Sequence, residues 1–451
     1  MKSRNNLIYK ILLIILCVVG KTICQSLTII DSSIFLNSIA YDVSDDGKTV
    51  VGSFYRTDPS SHYEAFVWNS TTGFKIINNP GSSLDYYAYG VSGDGNKVIG
   101  SYYDNTMVRA FLWSENSGLI DIGTIGGDDA VAFDISTDGS TIAGESEDSI
   151  YGVRHAFKWN DSTGMMDLGS SLCAYCISRA YAVSADGSVI VGYAEYGSYA
   201  AATMWGPQGM IEIGRLAGNF SNAFGVSEDG SIVVGTTGTY YPYGIRNHAF
   251  KWTATNGMID IHNDSLGFSS EARAVSSDGN LVVGTVYTAS AIPYAFLWDN
   301  LKGMRRLNDV YGNLINWSDS FGHAFKISPN GRFIVGTVRI ANKWCAFLLD
   351  TEHSVEVEKS DLSLMDYQLF QNYPNPFNPV THIRFQIPER SHVKITVFNI
   401  LGEQVQTLLD DEKDKGIYEI TFDASNLSTG IYLCRMQAGN YISIKKMLYL
   451  K

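Results

Sequence analysis

One thirteen-residue pattern, A-x-x-(V/I)-S-x-(D/N)-G-x-x-(V/I)-x-G, occurs seven times in this chain and limits what it can fold into. The copies are anchored at Val43, Val91, Ile135, Val183, Val226, Val275 and Ile327, at spacings of 48, 44, 48, 43, 49 and 52 residues. Self-similarity at that period means an array of one supersecondary unit, each copy burying its apolar face against the next. It also explains how 451 residues can belong mostly to one body.

Each copy reads as four short strands. In the second, Ala88 to Ser92 and Lys97 to Ser101 flank Asp94-Gly95, a tight-hairpin dipeptide because glycine accepts positive φ. Arg109 to Trp113 is a third strand, and Leu119 to Ile122, after a Gly-ended loop, a fourth. Four antiparallel strands per repeat predict a propeller blade, and no helical period appears in any copy. The third strand carries A-F-x-W. Phe66/Trp68, Phe111/Trp113, Phe157/Trp159, Phe250/Trp252 and Phe296/Trp298 each stand two apart and so share one strand face. These rings are expected in the core, where neighbouring blades diverge. Small Ala88, Ala132, Ala182, Ala223 and Ala274 suit the crowded axis. The seventh copy stops at Ala346-Phe347-Leu348-Leu349 without a fourth strand, while Leu27 to Ile30 is a strand with no repeat of its own. The start of the chain is therefore expected to close the ring beside Ala346 to Leu349, removing an exposed sheet edge and making seven blades.

The repeat resembles the HAF extracellular repeat family, whose tripeptide stands at His155-Ala156-Phe157 and His248-Ala249-Phe250. The resemblance covers about residues 39–350. Other copies place Glu64, Arg109, Tyr294 or Cys345 at the His position, and the fourth reads Ala202-Thr203-Met204-Trp205. The histidine is thus no catalytic constant of the repeat. The resemblance implies an exported repeat protein and little about activity.

Both ends speak of export. Lys2, Arg4 and Lys10 precede the apolar run from Ile11 to Val19, which is the layout of a secretory signal and too short to span a bilayer. At the other end stands Tyr373-Pro374-Asn375-Pro376-Phe377-Asn378-Pro379, followed by strands over Thr381 to Gln386, Val393 to Asn399, Gly416 to Phe422, Gly430 to Gln437 and Ser443 to Leu448. The last eighty-odd residues suit a small Ig-like β-sandwich. This segment resembles the C-terminal sorting domain of the type IX secretion system. The likeness lies in Pro374 to Pro379, Val397-Phe398-Asn399-Ile400-Leu401-Gly402-Glu403-Gln404-Val405, Gly430-Ile431-Tyr432-Leu433 and the terminal run with Lys445 and Lys446. It implies a bacterium of Bacteroidota type, handling by the type IX machinery, and a final place in the medium or on the outer-membrane surface. The expected division is a signal peptide over 1–24, an all-β seven-bladed propeller over 25–351, a linker over 352–368 and the sorting sandwich over 369–451.

The formal net charge of −13 would fall to −17 once Lys2, Arg4, Lys10 and Lys21 leave with the signal. That excludes nucleic acid as a partner, and past the signal no segment is apolar enough to cross a membrane. Of six cysteines, Cys17 and Cys24 fall in the signal. Cys173-x-x-Cys176 in a loop of an exported chain suggests a local disulfide, and Cys345 and Cys434 read as single buried thiols. No H-E-x-x-H, G-x-S-x-G, EF-hand or phosphate-loop motif occurs, and no cofactor is implied. The repeated Asp46, Asp94, Asp138, Asp186, Asp229 and Asp278 sit at hairpin turns, where Asn330 replaces them in the last copy; this fits turn chemistry better than a repeated calcium site. Asp128-Asp129 reads as a solvated loop, and His62, His155, His248 and His323 show no ligand spacing.

No catalytic or metal residue is therefore assigned. The variable second-to-third-strand loops and inter-blade loops, which share one face, carry Tyr102, Tyr103, Tyr196, Tyr199, Tyr240, Tyr241, Tyr243 and Trp317. Tyrosine offers large contact area at low entropy cost, so these are candidate binding residues for a glycan, protein or envelope component. A hydrolase or lyase acting at the channel mouth, and an inert surface spacer, are the alternatives.

Overall fold

A computed structural model describes residues 25–30, 35–56, 61–78, 84–104, 106–169, 175–241, 244–316, 318–351, 367–369, 372, 377–400, 402–439 and 441–450. The chain forms two units, 1–355 and 356–451. The proposed signal segment lies outside the described residues.

The first unit holds seven four-stranded antiparallel sheets, each in simple sequence order except the last. Blade 1, for example, runs through Phe35–Val43, Thr49–Arg56, Tyr63–Asn69 and Gly73–Ile77. The first strand of every blade lies against that of the next, and blade 7 returns to blade 1. The seventh sheet is completed from the chain's start. Ser26–Ile30 pairs with Lys343–Asp350, with Ser26 opposite Asp350 and Ile30 opposite Ala346. This is the expected closure, and Ile30 is buried by it.

The repeat motif becomes one row across each blade. In blade 3, Ala132 faces Gly144, which faces Phe157. A Cβ on Gly144 would stand 2.0 Å from the Val131 carbonyl oxygen and 2.7 Å from the Phe157 ring. Blade 1 repeats the arrangement with Ala40, Gly52 and Phe66. The small residue, the glycine and the phenylalanine are thus one packing unit, and all six phenylalanines of the row are fully buried. In the fourth copy Thr203 takes the phenylalanine's place. Its hydroxyl lies 3.1 Å from that of Tyr196, whose ring joins the cluster around Ala180 and Ile190.

The Ser-x-Asp-Gly turns are built alike. Ser184 Oγ donates to Asp186 Oδ1 at 2.9 Å and accepts the Val189 N–H at 3.0 Å. Hydrogen bonds from the side chain and backbone of Ser188, then from Ser184, hold the Asp186 carboxyl below its ordinary value. The repeated aspartates are occupied by their own turns. One short helix, Leu307–Tyr311, interrupts the all-β pattern between blades 6 and 7 and buries Leu307 and Tyr311.

The second unit is a sandwich. A three-stranded sheet of Gln368–Leu369, Val380–Ile387 and Gly416–Asp423 accompanies a four-stranded sheet ordered Gln404–Lys413, Ser391–Asn399, Gly430–Ala438 and Tyr441–Tyr449. Phe385, Phe422, Ile395, Val397 and Met436 lie in its core. Gln404–Lys413 was not among the strands expected from sequence. It is an edge strand whose Asp410, Asp411 and Glu412 are exposed, so its polarity hides the alternation.

Candidate functional site

Every innermost strand breaks register at the residue after its motif alanine. In blade 1 the pairing jumps between Ala40 and Asp42, in blade 2 between Ala88 and Gly90, and likewise in the other five. A bulge re-aims the side chain of the residue it adds. The seven bulged residues are Tyr41, Tyr89, Phe133, Tyr181, Phe224, Arg273 and Phe325, and all line one axial cavity of about 200 Å³. Their rings form a chain around the axis. Centroid separations are 5.5 Å for Phe325–Tyr41, 5.2 Å for Tyr41–Tyr89, 6.0 Å for Tyr89–Phe133, 5.3 Å for Phe133–Tyr181 and 5.2 Å for Tyr181–Phe224. The Arg273 guanidinium lies 4.3 Å from the Phe224 centroid. All seven are half-buried, so their faces stay accessible.

On the turn side, beneath this ring, three charges meet. Lys326 on blade 7 reaches across the axis to Asp134 on blade 3 at 3.0 Å and Asp42 on blade 1 at 3.7 Å. Both carboxylates also tie their blade to the next: Asp42 accepts the Val91 N–H and Asp134 the Val183 N–H, each at 2.9 Å. Burial pushes the Asp42 carboxyl up to about 6 despite the nearby ammonium. The two carboxylates hold Lys326 charged, above its ordinary value. At the turn-side mouth, backbone bonds link successive blades, as in Asp45 N–H to the Gly93 carbonyl at 3.1 Å and Gly93 N–H to the Thr137 carbonyl at 2.9 Å. The cavity lining runs from the ring to this mouth and includes Asp45 and Glu228.

On the loop side, the residues two places before the ring make a second tier. Tyr87 stacks on Tyr89 at 5.9 Å and continues to Tyr63 at 5.2 Å, and Tyr63 to Tyr55 at 5.0 Å, an aromatic track leading outward. Burial, then the nearby Asp85, raises the Tyr87 hydroxyl well above its ordinary value, so it remains a donor. Glu145 is held by Arg154 at 2.8 Å and by Arg179, and Arg154 also binds Asp129 at 2.9 Å. Asp129 is thus drawn into an ion-pair network rather than left in a solvated loop. Glu271 meets Arg273 at 2.5 Å. His323 stacks on Phe325 at 5.4 Å; burial and then Arg273 push it down to about 4, so it is neutral at ordinary pH.

The loop tyrosines fall into different settings. Tyr103 and Tyr240 are exposed, at 46% and 67%. Tyr102 stacks on buried Tyr86 at 5.3 Å and serves the core. Tyr196 fills in beside Thr203. Tyr199 is pinned between Arg215, 3.6 Å from its centroid, and Glu212, which accepts its hydroxyl at 3.1 Å. Tyr241 ends a strand, while Tyr243 and Trp317 lie outside the described residues. Cys176 is disulfide-bonded; Cys173 lies outside the described residues. Cys345 and Cys434 are buried thiols outside any disulfide.

The two third-strand histidines are paired within their blades, His155 Nδ1 with Asp167 at 3.0 Å and His248 Nδ1 with Asp260 at 2.7 Å. In the tail, Phe377 of the sorting motif is buried, stacks on Tyr449 at 5.2 Å and bonds the backbone on either side of it. Asn378 is exposed, Pro379 accepts the Ala424 N–H, and Lys445 and Lys446 stand on the last strand. Pro374, Asn375 and Pro376 lie outside the described residues. The axial ring was absent from the sequence reading. Its only signal is the aromatic that follows the motif alanine in six of seven copies.

Residues 371–450 match the secretion system C-terminal sorting domain family. That match marks the chain as type IX cargo, sent to the cell surface or the medium. Among the described residues no helix is long and apolar enough to cross a membrane. No curated protein matches the chain. Similar solved structures include an oligogalacturonate lyase from Vibrio parahaemolyticus, at 13% identity and TM-score 0.51, covering 72% of this chain and 94% of that one. TolB from Acinetobacter baumannii is 13% identical with TM-score 0.39, over 71% of this chain and 65% of its own. PorZ, a surface component of the type IX secretion system of Porphyromonas gingivalis, is 11% identical with TM-score 0.42, over 97% of this chain and 61% of its own. The chain thus spans less than two thirds of TolB and of PorZ. At these identities the likeness is one of fold.

Proposed function

We propose that this protein is an exported, non-enzymatic binding propeller that takes a carbohydrate-bearing envelope or extracellular partner on its loop side. The observation that carries this reading is the axial ring with its outward track of Tyr87, Tyr63 and Tyr55. Half-buried aromatic faces flanked by Arg179 and Arg273 suit the apolar faces and hydroxyls of sugars, and exposed Tyr103 and Tyr240 extend the surface. The HAF-like motifs, a signal peptide over 1–24 and a source among Bacteroidota belong to the same reading. So does the division into a propeller over 25–351, a linker over 352–368 and a sorting unit over 369–451.

The test is a glycan array and an envelope-fraction pull-down with the purified exported chain. Tyr89→Ala and Tyr181→Ala should each weaken capture at least tenfold. Capture that survives both but fails in Tyr103→Ser with Tyr240→Ser would move the site to the loop tips. No capture at all would favour a spacer.

A hydrolase or lyase is the second reading, motivated by Asp42, Asp134, Glu145 and Glu271 near the axis. It is the weaker one because each of these carboxylates is already engaged by Lys326, Arg154, Arg179 or Arg273, which leaves none poised toward a substrate. New reducing ends or unsaturated products from a polysaccharide panel would establish it.

A further inference from the structure

His248 and His262 are fourteen residues apart and lie on different elements, one on the third strand of blade 5 and one in the connection to blade 6. The fold brings their rings to 4.1 Å and adds Asp264, so that one donor atom from each of the three lies within 4.8 Å of the others. We propose that His248, His262 and Asp264 bind a divalent transition metal of the zinc class, with a further coordination position open at the surface.

Three observations carry this. First, two imidazoles and one carboxylate are the donor set of zinc-class ions, which take nitrogen at about 2.0–2.1 Å and carboxylate oxygen at about 2.0–2.2 Å. Tetrahedral donors at those lengths stand about 3.3 Å apart. His262 Nε2 already lies 3.6 Å from Asp264 Oδ1. The Asp264 side chain is 67% exposed, so it can turn toward an ion without disturbing the core.

Second, both rings are oriented through their other nitrogen, as metal-bound histidines usually are. His248 Nδ1 meets Asp260 Oδ2 at 2.7 Å, and His262 Nδ1 meets Ser270 Oγ at 2.7 Å. Each ring is thereby set to offer Nε2. Third, His262 is 1% exposed on its side chain, and its Nε2 is buried with no hydrogen-bond partner. A buried ring nitrogen is costly without a partner, and an ion would supply one.

The chain contains its own control. Blade 3 repeats the pair as His155 and Asp167, and Ser178 stands where Ser270 does. There the Ser178 hydroxyl donates to the Gly169 carbonyl, and Gly169 occupies the place that His262 holds in blade 5. The second imidazole and the extra carboxylate are peculiar to blade 5. The ion would fasten the connection between blades 5 and 6 to the third strand of blade 5.

The test uses the purified exported chain, stripped with chelator and titrated with Co(II) and Zn(II). One equivalent of Co(II) should give visible ligand-field bands that one equivalent of Zn(II) removes, and Zn(II) should raise the melting temperature. Exposed Asp264→Asn cannot disturb the core and should weaken Zn(II) at least tenfold. His262→Asn should abolish the bands, while His155→Asn should leave them unchanged. Asp260→Asn, acting through His248, should weaken binding about tenfold. Absence of bands at about 100 μM Co(II), or bands that survive both Asp264→Asn and His262→Asn, would overturn the assignment.

Discussion

Replacing Lys326 by Met tests the charge arrangement at the propeller axis. Asp42 and Asp134 are 2% and 5% exposed, and Lys326 is the cation that reaches both. Losing one partner of a buried ion pair costs about 3–5 kcal/mol, because the charges left behind are neither solvated nor matched. The cost must depend on pH, and its sign follows from Asp42. Its carboxyl lies at about 6 against an ordinary 3.8, so as pH falls the folded state takes up the proton first and gains stability between about pH 6 and 4. The rise of about two units is worth about 3 kcal/mol, at about 1.4 kcal/mol per unit. Lys326 restrains that rise; without the ammonium, Asp42 goes higher and neutralises sooner. Lys326→Met should therefore lose about 3–5 kcal/mol at pH 8, and less than that at pH 5 by at least about 1.4 kcal/mol, or one further pKa unit. Urea unfolding read by tryptophan fluorescence measures this in the whole chain, since all eight tryptophans precede residue 351. Lys251→Met is the comparison. Its ammonium donates to the Gly279 carbonyl and lies over Trp298 without a carboxylate bond, so its loss should be alike at both pH values. An equal deficit for Lys326→Met at pH 5 and pH 8 would refute the reasoning.

Three further outcomes follow from packing and turns. Gly144→Ala should cost more than 3 kcal/mol, because its Cβ meets the Val131 carbonyl at 2.0 Å, whereas Gly206→Ala, with nothing within 4 Å, should change stability by less than about 1 kcal/mol in the same urea assay. Ile30→Ala should remove about 2–5 kcal/mol and lower the melting temperature by several degrees, since the strand it anchors closes the ring; an unchanged melt would mean that the closure contributes nothing. Asp186→Ala should cost about 1 kcal/mol at pH 7 and progressively less as acid protonates the carboxyl. The Asp186 carboxyl is held below its ordinary value, so its contribution is present above that value and fades as pH falls through the folded one.

What was legible in the sequence was whatever one blade decides for itself. Ala132, Gly144 and Phe157 recur because each constrains the next across two strand pairings, and the Ser184–Asp186 turn closes within five residues. The missing fourth strand of the last copy pointed to Ser26–Ile30 because every other copy supplies four strands and this one only three. What escaped is built between blades. The ring residues recur as an aromatic after the motif alanine in six of seven copies, but nothing within one copy says which way that position faces. Only the bulge reveals that the position faces the axis. Lys326 and Asp134 are 192 residues apart and occupy the next such position, where the other blades carry glycine or alanine apart from Asp42. His262 came to notice only beside His248, across an inter-blade connection. This division has a physical cause. Residues that hold a blade together must repeat, since every blade solves the same packing problem. Residues that face the axis or an inter-blade seam solve no such problem, so one copy can carry Arg273 where six carry rings, or a second imidazole where another carries glycine, without cost to the fold. Repetition therefore reports architecture, and the departures from it mark the places where one blade differs in chemistry from its neighbours.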